Sequence, residues 1–341
     1  MRKVFLLTVL VLTVLSMALV GCAEQSRYNP ESDFVTEVMG DGTFVRIFEY
    51  RGASRVVRIP PKMGNLPVTH ICDWAFADNQ LSSVTIPNSV TSIGISAFAH
   101  NQLANVTIPN SVTVIDGEAF WNNHLTSVSI PDSVTCIEWM AFAYNQLANV
   151  IIPRGVIYVG NGAFRGNHLS NVLISDSVTN IGSSAFADNR LTEIAIPDSV
   201  ARIGEGAFVQ NPNLTAINVS PSNPNFSSLD GVLYNNDFTA LVQWPAGKAG
   251  AVVIPSTVIY ISAQALSWNQ FASVIIPESV AYIGGMAFAY NQLTNVIIPE
   301  SVAYIGWGAF RGNYLVEVTI PNSEAYVSRW AFDPDVVVIR N

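Results

Sequence analysis

The feature that most constrains this chain is a repeat. Ala-Phe recurs with Phe at 76, 98, 120, 142, 164, 186 and 208, and every interval is 22 residues. After one interruption the same phase resumes at Leu266, Phe288, Phe310 and Phe332. A unit this short cannot bury its own apolar face, so a fixed period sustained over eleven units predicts a solenoid in which each coil covers the next.

Each position within the unit has a physical task. In Leu81 to Gln102, Val84-Thr85-Ile86 alternates with period two and is β-branched, which predicts a short strand with Thr outward. Pro87 ends it, because proline has no N–H for the ladder, and prolines recur there at 109, 131, 153, 197, 255, 277, 299 and 321. The chain returns through Val90 and Ile93, bends at Gly94, and is expected to make a single helical turn carrying Ala97 and Phe98. The expected class is therefore a β-rich α/β solenoid. Ala precedes the Phe position in every unit, which fits close approach of neighbouring coils.

Asn follows three residues after that position, at Asn79, Asn101, Asn123, Asn145, Asn167, Asn189, Asn211, Asn269, Asn291 and Asn313. Ten amides at one phase predict a buried ladder, each satisfying backbone groups of its own and the next coil, since buried N–H and C=O groups must be paired.

The pattern Leu-x-x-Val-x-Ile-Pro-x-Ser-Val-x-x-Ile-x-x-x-Ala-Phe-x-x-Asn resembles the BspA-type leucine-rich repeats of bacterial surface proteins. The resemblance runs from about Val56 to the C-terminus. It implies a right-handed solenoid with a parallel sheet on one face, short turns or single helical turns on the other, and a role in adhesion or protein binding. Many members carry Cys where this chain has Asn, a residue that other leucine-rich repeat classes use there.

Arg2 and Lys3 precede an apolar run from Val4 to Val20, followed by Leu19-Val20-Gly21-Cys22 and a polar stretch, the pattern of an export signal. The tetrapeptide is similar to the bacterial lipoprotein signal, which implies acylation of Cys22 and a membrane held through lipid. The expected organisation is a signal peptide over 1–21, a tether over 22–33, and an N-terminal β cap with the first coil strand over 34–66. Repeats follow over 67–220, an inserted β-hairpin over 221–250, and repeats with a C-terminal cap over 251–341. The implied location is the cell envelope, on an outer membrane or cell surface.

Composition narrows function. The chain carries 16 basic and 25 acidic residues, a net charge of −9. Without Arg2 and Lys3 the balance is 14 to 25, near −11. Phosphate neutralisation needs the opposite sign, so no nucleic acid is expected. Cys72 and Cys136 fall three coils apart, about 14 Å at strand spacing, beyond the ~7 Å that a disulfide allows, and both are expected to be free. His124 and His168 share a phase two coils apart, and His70 and His100 lie elsewhere, so no catalytic or metal set forms and no cofactor is expected. The acidic turn row Asp132, Asp176, Asp198, Glu278 and Glu300 is broken by Arg154 and reads as turn chemistry.

Two columns remain as candidate ligand surfaces. Tyr260, Tyr282, Tyr304 and Tyr326 share one phase and should stack. Outward strand positions turn apolar at Ile151, Leu173, Val253, Ile275 and Ile297, a partner-site signal on a sheet face. The leading expectation is a non-enzymatic surface lipoprotein that binds host or other cell-surface proteins. The alternative is a carbohydrate or envelope-polymer binder that uses the tyrosines as stacking platforms.

Overall fold

A computed structural model describes residues 27–340. Cys22 and the 1–21 leader lie outside the described residues. Within the segment read as a tether, Asn29 is fastened to the first coil. Its N–H donates to the Arg58 carbonyl at 3.0 Å, and its Oδ1 accepts the Arg58 N–H at 2.8 Å.

The coils stack in register. Ser92 pairs with Val114 and Ile93 with Ile115, then Cys136 with Tyr158 and Ile137 with Val159, each partner 22 residues on. Residues that share a phase are therefore neighbours in a column. This wall is a 10-stranded sheet whose path begins with the antiparallel hairpin Phe34–Val38 and Val45–Tyr50. It continues in parallel through Leu66–Ile71 and the short strands up to Arg202–Ile203. A second, 7-stranded sheet carries the wall from Phe226–Leu229 to Tyr326–Val327.

The strand expected at Val84 to Ile86 forms as Ser83–Thr85, but its column is not one continuous sheet. It breaks into parallel pairs: Val56–Arg58 with Ser83–Thr85, Asn105–Thr107 with Ser127–Ser129, and Asn149–Ile152 with Asn171–Ile174. Glu193–Ile196 pairs likewise with Ala216–Val219. In each pair a hydroxyl residue just before the second strand bonds the preceding coil. Thr126 sends both its N–H (3.0 Å) and its hydroxyl (3.4 Å) to the Ala104 carbonyl, and Ser170 does the same to Ala148 at 2.9 and 3.3 Å. Ala104 and Ala148 have no hydroxyl to reach back, so no such clasp joins either of them to the coil before.

The helical turn expected at Ala-Phe is absent, and the solenoid there is not α/β. Among the described residues the only helical element is the 3-10 turn Glu31–Asp33. From Phe76 to Phe310, residues two before and two after the repeated Phe or Leu take left-handed φ, as in Glu118 (57°) and Asn122 (52°) around Phe120. That alternation turns every second N–H toward the following coil: Glu118 to Trp139 O, Phe120 to Ala141 O and Asn122 to Ala143 O, at 2.8 to 3.0 Å. A helix would spend those donors within its own turn. Where Gly occupies the left-handed position, as at Gly162 (φ 63°) and Gly166 (67°), the strain of a Cβ is avoided.

Inside, Phe76 to Phe208 form one column of stacked rings with centroids 5.0 to 6.0 Å apart. Tyr50 begins it: its N–H donates to Ala75 O at 2.7 Å, as Phe98 does to Ala119 O, and its ring stacks on Phe76 at 5.5 Å. The Asn ladder is present and faces the preceding coil rather than the next. Asn145 Nδ2 donates to the carbonyls of Phe120 (2.9 Å) and Phe142 (3.1 Å), while its Oδ1 accepts the Leu125 N–H at 3.0 Å. Asn101, Asn123, Asn167, Asn189 and Asn211 repeat these bonds, and Asn291 and Asn313 resume them. Asn79 and Asn269 open their stacks and make only a local bond, to Ala77 O and Ser267 O.

The insertion contains the expected hairpin, Val232–Asn235 with Ala240–Gln243, and a third antiparallel strand, Phe226–Leu229, on its other side. It divides the interior into two cores. Leu233 belongs to the first, whereas Val232 and Tyr234 belong to the second. Burial beside Asp230 pushes the Tyr234 phenol up to about 12.

Candidate functional site

The two predicted columns lie on different walls. Tyr260, Tyr282, Tyr304 and Tyr326 project from the 7-stranded sheet, paired in sequence by the backbone ladder. Their rings stack at 5.0, 4.1 and 5.1 Å with interplanar angles of 18° or less. The ring faces are thus spent on one another, and the ridge offers edges and hydroxyls. Burial, then the Glu205 charge, raises the Tyr260 phenol. Alanines 281, 303 and 325 and glycines 284 and 306 flank the ridge.

The apolar column lies on the outer, paired-strand wall. Ile151 and Leu173 are paired to each other there, and Ala195 and Asn218 follow them in the column. Past the insertion a single bridge, Val253 to Ile275, remains until Glu317–Ile320 pairs with Val337–Arg340, and 295–298 forms no strand. Here exposure is greatest, 71% for Val253, 80% for Ile275 and 77% for Ile297. Grooves of about 270 and 350 Å³ open on this wall, one lined by Val252, Phe271 and Ile275 and the other by Val296, Ile297 and Glu317.

A third feature escaped the sequence reading. Asp116 and Glu138 stand in a column that other coils fill with Gly94, Gly160, Gly182 and Gly204. Close approach favours glycine where it stands: a Cβ at Gly160 would lie 2.6 Å from the Glu138 carbonyl carbon. The Asp116 N–H to Ile93 O bond is 3.4 Å, whereas Glu138 makes the equivalent bond at 2.9 Å, as the glycines do at 2.7 to 2.9 Å. Burial, and then Asp73, raises the Asp116 carboxyl; burial, and then Asp116, raises Glu138. Arg46, His70, Cys72, Asp73 and Asp116 line a cavity of about 420 Å³. The broken glycine phase was the available signal.

Among the described residues no three His, Cys, Asp or Glu side chains could hold a metal ion. His100 Nδ1 bonds the Asn122 amide at 2.8 Å, and burial, then Arg46, lowers His70. Cys72 and Cys136 are unpaired. No helix of the described residues is long and apolar enough to cross a membrane.

A family model described as the BspA type leucine-rich repeat region matches residues 69–190, 137–236 and 248–335, with six copies, well over half of the chain. The chain belongs to the BspA-type leucine-rich repeat family. Among solved structures it is similar to a leucine-rich cell surface protein from Faecalibacterium prausnitzii. Identity to it is 28%, with 92% of this chain and 87% of that one covered, at a TM-score of 0.74. The pneumococcal vaccine antigen PcpA shares the fold at 20% identity, with 94% and 89% covered and a TM-score of 0.67. So does a leucine-rich repeat protein from Eubacterium ventriosum, at 24% identity, 92% and 84% coverage and 0.60. No curated protein matches. Membership in this family suggests a protein-binding or adhesion-type role at the cell surface, generally without catalysis.

Proposed function

We propose that this BspA-type protein is a lipid-anchored, surface-exposed binder of proteins that acts in adhesion to host or other cell-surface proteins through its outer apolar wall. The observation that carries this reading is the exposure of Ile275 and Ile297, 80% and 77%, on coils whose interiors are fully packed. Contiguous exposed aliphatic side chains on a rigid frame mark interaction sites. The anchor at Cys22 would hold the solenoid at the membrane while its coils face outward.

The carbohydrate reading draws less support. Sugar stacking needs open aromatic faces, and in the tyrosine ridge each inner ring covers its neighbours.

The test is surface display of the full chain on cells, scored for adhesion to immobilised host matrix proteins. Ile275→Asp with Ile297→Asp is expected to abolish adhesion, and Tyr282→Ala with Tyr304→Ala to spare it. Adhesion that survives the first pair and fails with the second would sink the apolar-wall assignment in favour of the ridge.

A further inference from the structure

The apolar wall past the insertion has an unusual electrostatic frame. From Ala251 to Phe310 the sequence contains no lysine or arginine, and its only charged residues are Glu278 and Glu300. Each stands three positions after an outward isoleucine, Ile275 or Ile297, just past the strand-ending proline, and each is exposed. Glu317, also exposed, lines the groove beside Ile297. None of the three forms an ion pair among the described residues. Such a surface is one of apolar knobs and shallow grooves, edged by uncompensated carboxylates.

From this frame we infer that the wall around Val253, Ile275 and Ile297 receives a protein segment with an apolar face edged by lysine or arginine. The inference rests on the protein-binding reading above and adds the partner's chemistry. Its apolar face covers the isoleucines and enters the grooves beside Phe271 and Val296, where burial of aliphatic surface supplies affinity. Its cations reach Glu278, Glu300 and Glu317, whose charges select against an acidic rim and speed encounter at low salt. A second copy of this chain fits poorly, because two such walls would set carboxylates against carboxylates on molecules that already carry −9. An anionic membrane surface meets the same repulsion.

The experiment uses the full chain in zwitterionic lipid nanodiscs, with empty discs as the baseline. The probes are two synthetic amphipathic peptides that share a leucine face, one edged with lysine and one with glutamate, read by fluorescence anisotropy. The lysine-edged peptide is expected to bind at least about tenfold more tightly, with a steep loss as salt rises. Ile275→Ser with Ile297→Ser should weaken it about tenfold or more without moving the thermal melt. Glu278→Gln with Glu300→Gln should bring it toward the level of the glutamate-edged peptide and flatten its salt dependence. Equal binding of both peptides, lost in the isoleucine pair, would overturn the basic-partner inference and leave the apolar wall as a binding site. Binding indifferent to the isoleucine pair would overturn the wall itself. Isoleucine-dependent flotation of the Cys22→Ser chain with vesicles would name the membrane as occupant, and an isoleucine-dependent dimer in sedimentation would name a second copy; either overturns the inference.

Discussion

The insertion separates two stacks built from the same 22-residue unit, and they differ in how much of the unit's bonding they retain. The stack before it has an unbroken Phe column from 76 to 208, the full amide bonding from Asn101 to Asn211, and outer strands clasped in pairs. The stack after it begins with Trp244 and Leu266 in the Phe role, and its first amide, Asn269, leaves Oδ1 buried without a partner. Its outer wall keeps one bridge until Glu317–Ile320 meets Val337–Arg340. Both stacks nevertheless keep the inner sheet in register. The interior column and the inner sheet therefore hold the coil, while the outer strand can loosen. That loosened wall is where the most exposed isoleucines stand.

The sharpest way to probe this contrast is to remove equivalent amides from the two stacks. Asn145→Ala strands the carbonyls of Phe120 and Phe142 and the N–H of Leu125, and is expected to cost about 2–3 kcal/mol in urea unfolding. Asn269→Ala gives up one bond to Ser267 O and removes an unpaired oxygen, so it should change stability by less than about 1 kcal/mol. Equal costs would erase the distinction.

A smaller effect separates the stacks by pH. Asp116 and Glu138 have carboxyls raised above their ordinary values, so the folded first stack takes up protons before the unfolded chain does. Stability should therefore rise as pH falls from neutral toward the ordinary carboxylate range, level off below it, and be lost again as pH climbs back. Asp116→Asn with Glu138→Gln should flatten that slope in melts across pH. A slope unchanged in the double variant would place its origin elsewhere.

The smallest effect belongs to the outer wall. Ile275→Ser should shift the melting free energy by no more than about 0.5 kcal/mol, because its side chain is solvated in the folded protein. A large loss would mean that this wall supports the stack after all.

Much of this was legible in sequence because a period converts directly into columns: Phe, Asn and Tyr fell where their phases put them. What was missed has local causes. The Ala-Phe segment carries apolar residues spaced as on a helix, yet residues such as Glu118 and Asn122 sit at left-handed φ, which composition does not announce. The ladder's direction toward the preceding coil depends on which carbonyls the bend exposes. Tyr50 acts as a Phe equivalent outside the 22-residue phase, revealed only by its backbone bond, whereas Trp244 is on phase, 22 residues before Leu266, but follows Gln243 in the place of the usual Ala. Of the candidate columns, the stacking of the tyrosines was legible from their shared phase, whereas the missing ladder beside Ile297 emerges only from coil packing.

The clasping of coils in twos bears on how such a gene can lengthen. Thr126 reaches back to Ala104 and Ser170 to Ala148, so on the outer wall the paired module is a doublet of 22-mers. Duplicating a doublet preserves every clasp, whereas copying one coil leaves an outer strand without a partner. Natural length variants that keep the clasped wall should therefore grow in even numbers of coils, and odd ones should cluster where the clasps have already been given up.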